Sequence, residues 1–540
     1  MMRHSVGDGT AQRRAAAHAL RVLLFIVLTP LTVRAQSVNV QPTAAQVKWR
    51  GELDAIINAP EFRHSHWGVL AVDLKTGRTL YEHQPDKLFA PASVTKLFST
   101  AAALDALGAG HRFVTPVYAR GTTVDDRLDG DLVLVASGDP TFGGRTDAQG
   151  HIEFKDIDHT YAGFSQVAEL TDGDPTAGLK TLARRVYDSG IHQVTGEVIV
   201  DDRLFTHAIG SGSGPQQLTP IMVNDNVLDF TIIPHDEVGQ PAEVVWRPHT
   251  SAYMVDVQVD TGADDSPSRV TIHEPTPGRI VVRGSIAHNR RPTVLVQEVE
   301  QPASFARSLF IEALREAGVK VTASPLASNP ADKLPRYETY ATQKPIAEFT
   351  SPPFSENAKL VLKVSHNLHA GTLPLLVAAK NGKQTLPEGL RLQRDFLNRV
   401  GVDATTISFA GGAGGDRADY VTPRATVKLL EAMSKRSDFA AYRDALPVLG
   451  VDGTLAAAVA PESPAKGKVQ AKTGTLVWGN LLQGRSLLQA KGLAGYIDAA
   501  DGRTIVFAAF VNLVHLQNSA DRDKIGRVLG TIAEKLYAAP

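Results

Sequence analysis

The chain has 540 residues, 43% of them hydrophobic and 21% charged, enough for two to four domains at roughly 100–200 residues each. Its 56 Lys and Arg balance 57 Asp and Glu, a net charge of −1, so it lacks the basic footprint of a dedicated nucleic-acid binder. There is no cysteine, which excludes a thiol nucleophile, any disulfide, a thiolate metal site and a cysteine-linked lipid anchor.

The N-terminus predicts export. Arg3, Arg13, Arg14 and Arg21 precede the apolar run Val22–Leu28, and Val33 and Ala35 supply small residues before a break after Ala35. Residues 1–35 therefore read as a signal peptide, with a periplasmic destination. The apolar run is too short for an ordinary transmembrane helix. Arg34 beside the cut leaves an uncleaved anchor open, and with it a loose membrane association.

Next, Gly68–Asp73 alternates as a strand, with Arg78–Tyr81 as its hairpin partner across Lys75-Thr76-Gly77. Pro91 opens a helix in which Leu97, Ala101, Leu104 and Leu107 recur at helical spacing, and Gly108 caps its end. Asp131–Val135 is strand-like and stops at the turn Gly138-Asp139-Pro140. Gly143–Asp174 is polar and aperiodic, a long loop or insertion. Gly178–Asp188 reads as helix, and Gly196–Val200 as a strand ending at Asp201-Asp202. Val244–Val296 is mostly β, Phe305–Ala317 an amphipathic helix and Ala323–Pro353 a connector. Helices return at Leu360–Leu368, Gly389–Val400 and Thr426–Ser434. Strands follow at Val469–Thr475, Leu493–Ile497 and Thr504–Val511, with a closing helix at Asp521–Tyr537. The order describes a mixed α/β and helical body interrupted by a β-rich middle.

Three short motifs carry chemistry. In Ser93-Val94-Thr95-Lys96 the spacing of three puts Ser93 and Lys96 on one helical face. A serine hydroxyl is a weak nucleophile that needs a base within reach, and a desolvated lysine serves as one near neutral pH. The helix start also offers N–H groups to a developing oxyanion. In Ser365-His366-Asn367 a second serine can relay a proton, and the Asn367 amide can hold a substrate amide and the lysine together. In Lys472-Thr473-Gly474-Thr475 the lysine and hydroxyls can grip a carboxylate, while Gly474 permits close backbone approach.

Each motif alone also has a bland reading. Ser93 could be a helix N-cap, Ser365 and Asn367 helix-end residues, and Lys472 an exposed strand residue. Lys75-Thr76-Gly77 and Ser37-Val38-Asn39 repeat two of the patterns, but in the wrong order and context. His366 and His369 stand three apart as helical metal ligands do; with no third or fourth ligand evident, no metal site is expected.

Together, and in this order, the motifs match the serine penicillin-recognising set, with His366 at its variable middle position. The chain resembles the low-molecular-mass class C penicillin-binding proteins, the D-alanyl-D-alanine carboxypeptidase/endopeptidase family. The resemblance rests on residues 91–108 (PASVTKLFSTAAALDALG) and on the long interval between Lys96 and Ser365. It extends to Gly138-Asp139-Pro140, Asp201–Phe205, Val223–Asn226, Gly450–Leu455 and Leu493–Tyr496.

The resemblance implies an α/β (α+β) fold. A transpeptidase-like domain in two segments, 45–115 and 346–540, would flank a β-rich accessory region at 116–345. It implies a serine-type hydrolase that cleaves D-alanyl bonds in peptidoglycan stem peptides through an acyl-enzyme on Ser93. β-Lactams would act as covalent inhibitors, with no metal or organic cofactor and no nucleic-acid partner. Lys96 would be the general base. Ser365 would pass a proton to the leaving amine, and Asn367 would hold the substrate amide. Lys472, Thr473 and Thr475 would receive the terminal carboxylate, and the N–H groups of Ser93 and Thr475 would form the oxyanion hole. Arg417, shortly before Thr422-Pro423, would bind the carboxylate of a diaminopimelyl side chain. Asp201 would bind its amine, with Asp202 as good on sequence alone.

This chain departs from the family at four places. The Gly-rich Ala410–Asp416 replaces Asp-Gly-Ser-Gly, and Ala370-Gly371 replaces a small-residue-Glu pair. Val477–Gly492 is longer than a tight hairpin, and Gly143–Asp174 is an addition. Carboxypeptidase and endopeptidase preference both stay open. So do a β-lactamase or esterase of the same fold, a non-catalytic wall-binding scaffold, and a β-rich binding protein in which the motifs coincide by chance.

Overall fold

The computed structural model describes residues 43–163, 165–518 and 520–540. The expected signal segment and Ser37-Val38-Asn39 lie outside these residues.

A strand that is apolar on both faces has to be covered twice. His66–Asp73 (HWGVLAVD) is buried over its last seven residues. It lies inside a five-stranded antiparallel sheet in the order 469–480, 485–498, 504–515, 66–73, 79–83. The period of two divides the strand's side chains between two cores. Leu70 and Val72, with Val506, Ala508 and Phe510, face a helical layer. Val69 and Ala71, with Ile505, Phe507 and Ala509, face the helices Ala44–Ile57 and Ala520–Tyr537. These two helices present Trp49, Leu53 and Ile57, and Ile525, Leu529, Ile532 and Leu536, each set on one apolar stripe. The hairpin turn Lys75-Thr76-Gly77 forms as expected, with Gly77 at φ 71°.

The hub of the helical layer is Thr95–Leu107, entered through a 3-10 turn at Ala92–Val94 and closed at Gly108. Ten of its 13 residues are buried, because it packs against the sheet and against the helices Asn367–Lys380 and Leu386–Arg399. This places Ser93 at the junction of sheet and helices.

The middle of the chain builds a second core. Here the strands run in the order Lys320–Val321, Gln193–Val194, Arg127–Val135, Val114–Val124, Ala347–Thr350, with Val198–Asp201 parallel to the end of Arg127–Val135. The helices Ala177–Asp188 and Pro302–Glu316 share that core with strands of two further three-stranded sheets. Those sheets are formed by 227–233, 243–247 and 293–298, and by 254–262, 269–276 and 279–287. Residues 45–540 form one compact unit. Among the described residues no helix is long and apolar enough to cross a membrane.

Three expectations need correction. Leu360–Leu368 is not one helix. The helix Phe354–Lys359 widens into a π turn at Leu360–Val364, and the chain breaks at Ser365 (φ 70°, ψ 34°). A new helix, Asn367–Lys380, then starts with His366 as its cap. The apolar rhythm runs through the break, so periodicity could not reveal it. The connector Ala323–Pro353 ends in a strand, Ala347–Thr350, that pairs with Val114–Val117. The strands read at Val469–Thr475 and Leu493–Ile497 are longer than expected: they run on through Val477–Gly492 as one hairpin to Asn480 and Arg485, turning through the exposed Leu481 and Leu482.

Candidate active site

Short side-chain contacts join the first two motifs. Lys96 Nζ lies 2.8 Å from Ser93 Oγ, 2.7 Å from Asn367 Oδ1 and 2.8 Å from the Ala413 carbonyl. Lys96 is fully buried. Burial disfavours its charged form, and the nearby Asp419 carboxylate only partly offsets this, so its pKa falls to about 7. Near neutral pH a large share of Lys96 is therefore free amine, able to take a proton from Ser93. Asp419 is itself buried, accepts from the Ala410 and Asp416 N–H groups, and is pushed up to about 6 by desolvation. Nothing in the sequence marked Asp419 or the Ala413 carbonyl as part of the site.

The third motif lies on the edge strand Val469–Asn480, against the start of the Ser93 helix. Gly474 makes this possible: a Cβ there would sit 2.3 Å from the Pro91 carbonyl and 3.3 Å from Ser93 N. Lys472 is fully buried, with Nζ 2.9 Å from the Thr473 carbonyl. Desolvation, then Lys96 and Lys491, hold its pKa well below the usual value. An incoming carboxylate would supply the counter-charge that draws a proton onto it. Thr473 Oγ1 donates to Thr454 Oγ1 at 2.8 Å, and Thr475 Oγ1 accepts from Lys491 Nζ at 2.8 Å. Thr454 comes from the stretch Gly450–Leu455 and Lys491 from Val477–Gly492, both noted in the sequence without these contacts.

Ser365 is 7% exposed, and its carbonyl accepts from the Tyr161 hydroxyl at 2.5 Å. Asn367 Nδ2, the group expected to hold a substrate amide, donates to the carbonyl of Ser213 at 2.9 Å and to its hydroxyl at 3.2 Å.

Behind this pair lies a buried charge network. Arg145 bonds both oxygens of Asp158 and, at 2.5 Å, Asp225 Oδ2. His159 reaches the same Asp225 oxygen at 2.7 Å and Asp229 Oδ1 at 2.6 Å. Arg247 bonds Asp229 Oδ2 at 3.1 Å. Burial alone would lower the pKa of His159, but the charges of Asp229 and Asp158 and the bonds to Asp225 and Asp229 raise it to about 10. His369 behaves oppositely: burial and the neighbouring His366 lower it to about 4. As a neutral ring His369 donates from Nε2 to Asp225 Oδ1 at 2.6 Å and accepts at Nδ1 from Asn357 at 3.4 Å.

The third ligand that the sequence lacked is present in space: Asp225, His366 and His369 bring ligand atoms within 4.8 Å of one another. The charges argue against a cation there. Asp158, Asp225 and Asp229 are already matched by Arg145, Arg247 and protonated His159, and the Arg145 guanidinium occupies Asp225 Oδ2. The cluster is an ion-pair network, and no metal is assigned to it.

The two expected side-chain contacts have partners of their own. Arg417 is exposed and stacks over Trp478, 4.9 Å from the ring centre. Asp201 is fully buried; Arg203 bonds both its oxygens, and the Tyr340 hydroxyl adds a bond at 2.8 Å. Its neighbour Asp202 pairs with His207 at 2.9 Å.

The sequence and the fold both have known relatives. A D-alanyl-D-alanine carboxypeptidase of an Actinomadura species is 29% identical over 507 residues, covering 89% of this chain and 86% of the relative. A D-alanyl-D-alanine carboxypeptidase of Haemophilus influenzae is 24% identical over 470 residues, covering 83% and 85%. The crystal structure of penicillin-binding protein 4 from Haemophilus influenzae superposes with a TM-score of 0.65 at 20% identity, over 87% of this chain and 97% of that one. This supports the penicillin-binding-protein-like α/β fold. The model of the D-Ala-D-Ala carboxypeptidase 3 (S13) family matches residues 49–533, and with the lysine-linked serine in place the chain belongs to that family of serine-type peptidases.

Proposed function

We propose that this chain hydrolyses D-alanyl peptide bonds in peptidoglycan stem peptides, as carboxypeptidase, endopeptidase or both, through an ester on Ser93. The single observation that carries the mechanism is the full burial of Lys96, with Nζ 2.8 Å from Ser93 Oγ. Lys96 takes the Ser93 proton as Oγ attacks the substrate carbonyl. The N–H groups of Ser93 and Thr475 hold the oxyanion. The C–N bond breaks, and the leaving amine takes up a proton relayed by Ser365. Asn367 positions the amide on the acyl side, and Lys472, Thr473 and Thr475 receive the terminal carboxylate. Water then cleaves the ester and restores the Ser93 hydroxyl.

β-Lactams acylate Ser93 in the same way. A structure of the Haemophilus penicillin-binding protein 4 in complex with a β-lactam, on the same fold, supports this reading. Arg417 beside Trp478 is the stronger of the two proposed side-chain contacts, because it is exposed, whereas both oxygens of Asp201 are engaged. The separate cores around the catalytic sheet and around residues 114–350 support two segments flanking an accessory region. The leader-like residues 1–35 make the periplasm the proposed location, with loose membrane association if they are retained.

Intact-protein mass spectrometry after exposure to benzylpenicillin tests the reading. One penicilloyl adduct on the wild type and none on Ser93→Ala is expected. No adduct and no turnover of the drug would overturn it.

A further inference from the structure

The segment Gly143–Asp174 had no role in the sequence reading. In the structure it underlies the second catalytic motif. Arg145, Asp158 and His159 are buried there, Tyr161 bonds the Ser365 carbonyl, and Asp156 Oδ1 accepts from Gly453 N at 2.6 Å. Ser365 itself adopts a left-handed conformation, φ 70° and ψ 34°, without being glycine. Such a residue persists only where its surroundings fix it, and such sites gather where strain serves function. The partner that reaches across is strained too: Asn224, Asp225 and Asn226 are all left-handed, with φ of 52°, 53° and 55°. That turn aims Asp225 at Arg145, His159 and His369 together. His369 lies two residues past Asn367 and on the same helix.

Resting on the acyl-enzyme reading above, we infer that Tyr161 and Asp225 are positioning residues for the Ser365–Asn367 pair. Tyr161 fixes the Ser365 backbone, and hence the direction of its hydroxyl, through the carbonyl. Asp225 fixes the first turn of the helix that carries Asn367, through His369. Arg145, Asp158, His159 and Asp229 make Asp225 itself immobile. The extra segment thus acts as a preorganised bed that holds half of the catalytic machinery from outside the catalytic sheet.

The test is the acylation of full-length wild type, Tyr161→Phe, His369→Leu and His369→Gln by benzylpenicillin, with melting temperatures recorded in parallel. Tyr161→Phe removes one hydroxyl, and the acylation rate at saturating drug should fall about tenfold, the scale of one hydrogen bond. Its apparent binding constant should stay within twofold. His369→Leu should fall at least as far. His369→Gln keeps an N–H for Asp225 and should recover most of that loss. A wild-type adduct on Ser93 with Tyr161→Phe acylating as fast would overturn the inference alone. Two other results would also overturn it: a loss confined to binding or to melting temperature, or no difference between the Gln and Leu variants. A wild type that is not acylated would instead remove the acyl-enzyme reading, and this inference with it.

Discussion

The two serines of the cleft are held in opposite ways. Ser93 lies beside a lysine whose bonded partners are neutral dipoles: a hydroxyl, an amide oxygen and a backbone carbonyl. The nearest influential charge, Asp419, makes no bond to it. Ser365 precedes a helix that is tied, through His369 and Asp225, to a network of three carboxylates, two guanidiniums and a protonated imidazole. The contrast follows from the two tasks. A base must reach its free form near neutral pH, so a bonded carboxylate beside it would defeat it. A scaffold must not move, and paired buried charges resist movement because each loss of a partner strands another charge.

The sharpest way to break this contrast is at Lys96. Lys96→Met keeps the volume, removes the base and should lower acylation by about a thousandfold, in the range for lost acid–base catalysis. Rapid-quench mass spectrometry measures it, and a loss below tenfold would mean that Lys96 is not the base.

On the charged side the large effect falls on folding. Asp225→Asn leaves Arg145 and His159 short of a carboxylate and should cost about 3–5 kcal/mol of stability, read from urea unfolding. A cost under about 1 kcal/mol would show the network to be loosely coupled.

The smallest expected effect is a shift along the pH axis. Acylation should rise with pH through about 7 as Lys96 loses its proton. Asp419 raises the Lys96 pKa, so Asp419→Asn should move this acid limb to lower pH. A limb that stayed in place would assign it to another group.

Much of this was legible because the motifs are local. Ser93 and Lys96 share one turn, Ser365 and Asn367 sit two apart, and Gly474 precedes Thr475 on one strand. Their chemistry can be read without knowing what surrounds them. The environment of Lys96 could not, since the Ala413 carbonyl and Asp419 come from a glycine-rich stretch with no marked residue type. Val223–Asn226 was noted only as part of the resemblance, and the role of Asp225 escaped because its carboxylate enters the site through a left-handed turn that Asn-Asp-Asn permits but does not announce. Gly143–Asp174 was read as a long loop or insertion, and among its described residues it holds one 3-10 turn, His159–Tyr161. Aperiodic polar sequence suggests a solvated surface, whereas here Arg145, Asp158 and His159 are buried and satisfied by one another. Asp201 shows the converse. A carboxylate at an expected position carries no mark of the arginine and tyrosine that engage it.

The strand order of the catalytic sheet joins segments from both ends of the described residues. The Ser65 hydroxyl bonds the Leu513 carbonyl 448 residues away, and the Trp49 indole bonds the Lys535 carbonyl across 486. The strand Thr504–His515 is the centre of the sheet, inserted between the strand 485–498, which pairs with the third motif's strand, and the strand His66–Asp73. A chain ending at Ala500 would contain every proposed catalytic side chain and no central strand to bring them together. The hairpin of 66–73 and 79–83 would hold its own pairing, but the other edge of 66–73 would wait for 504–515 while the middle of the chain, with its own core, folded. Removing 504–515 would therefore separate the strand that carries Lys472–Thr475 from the strand 66–73.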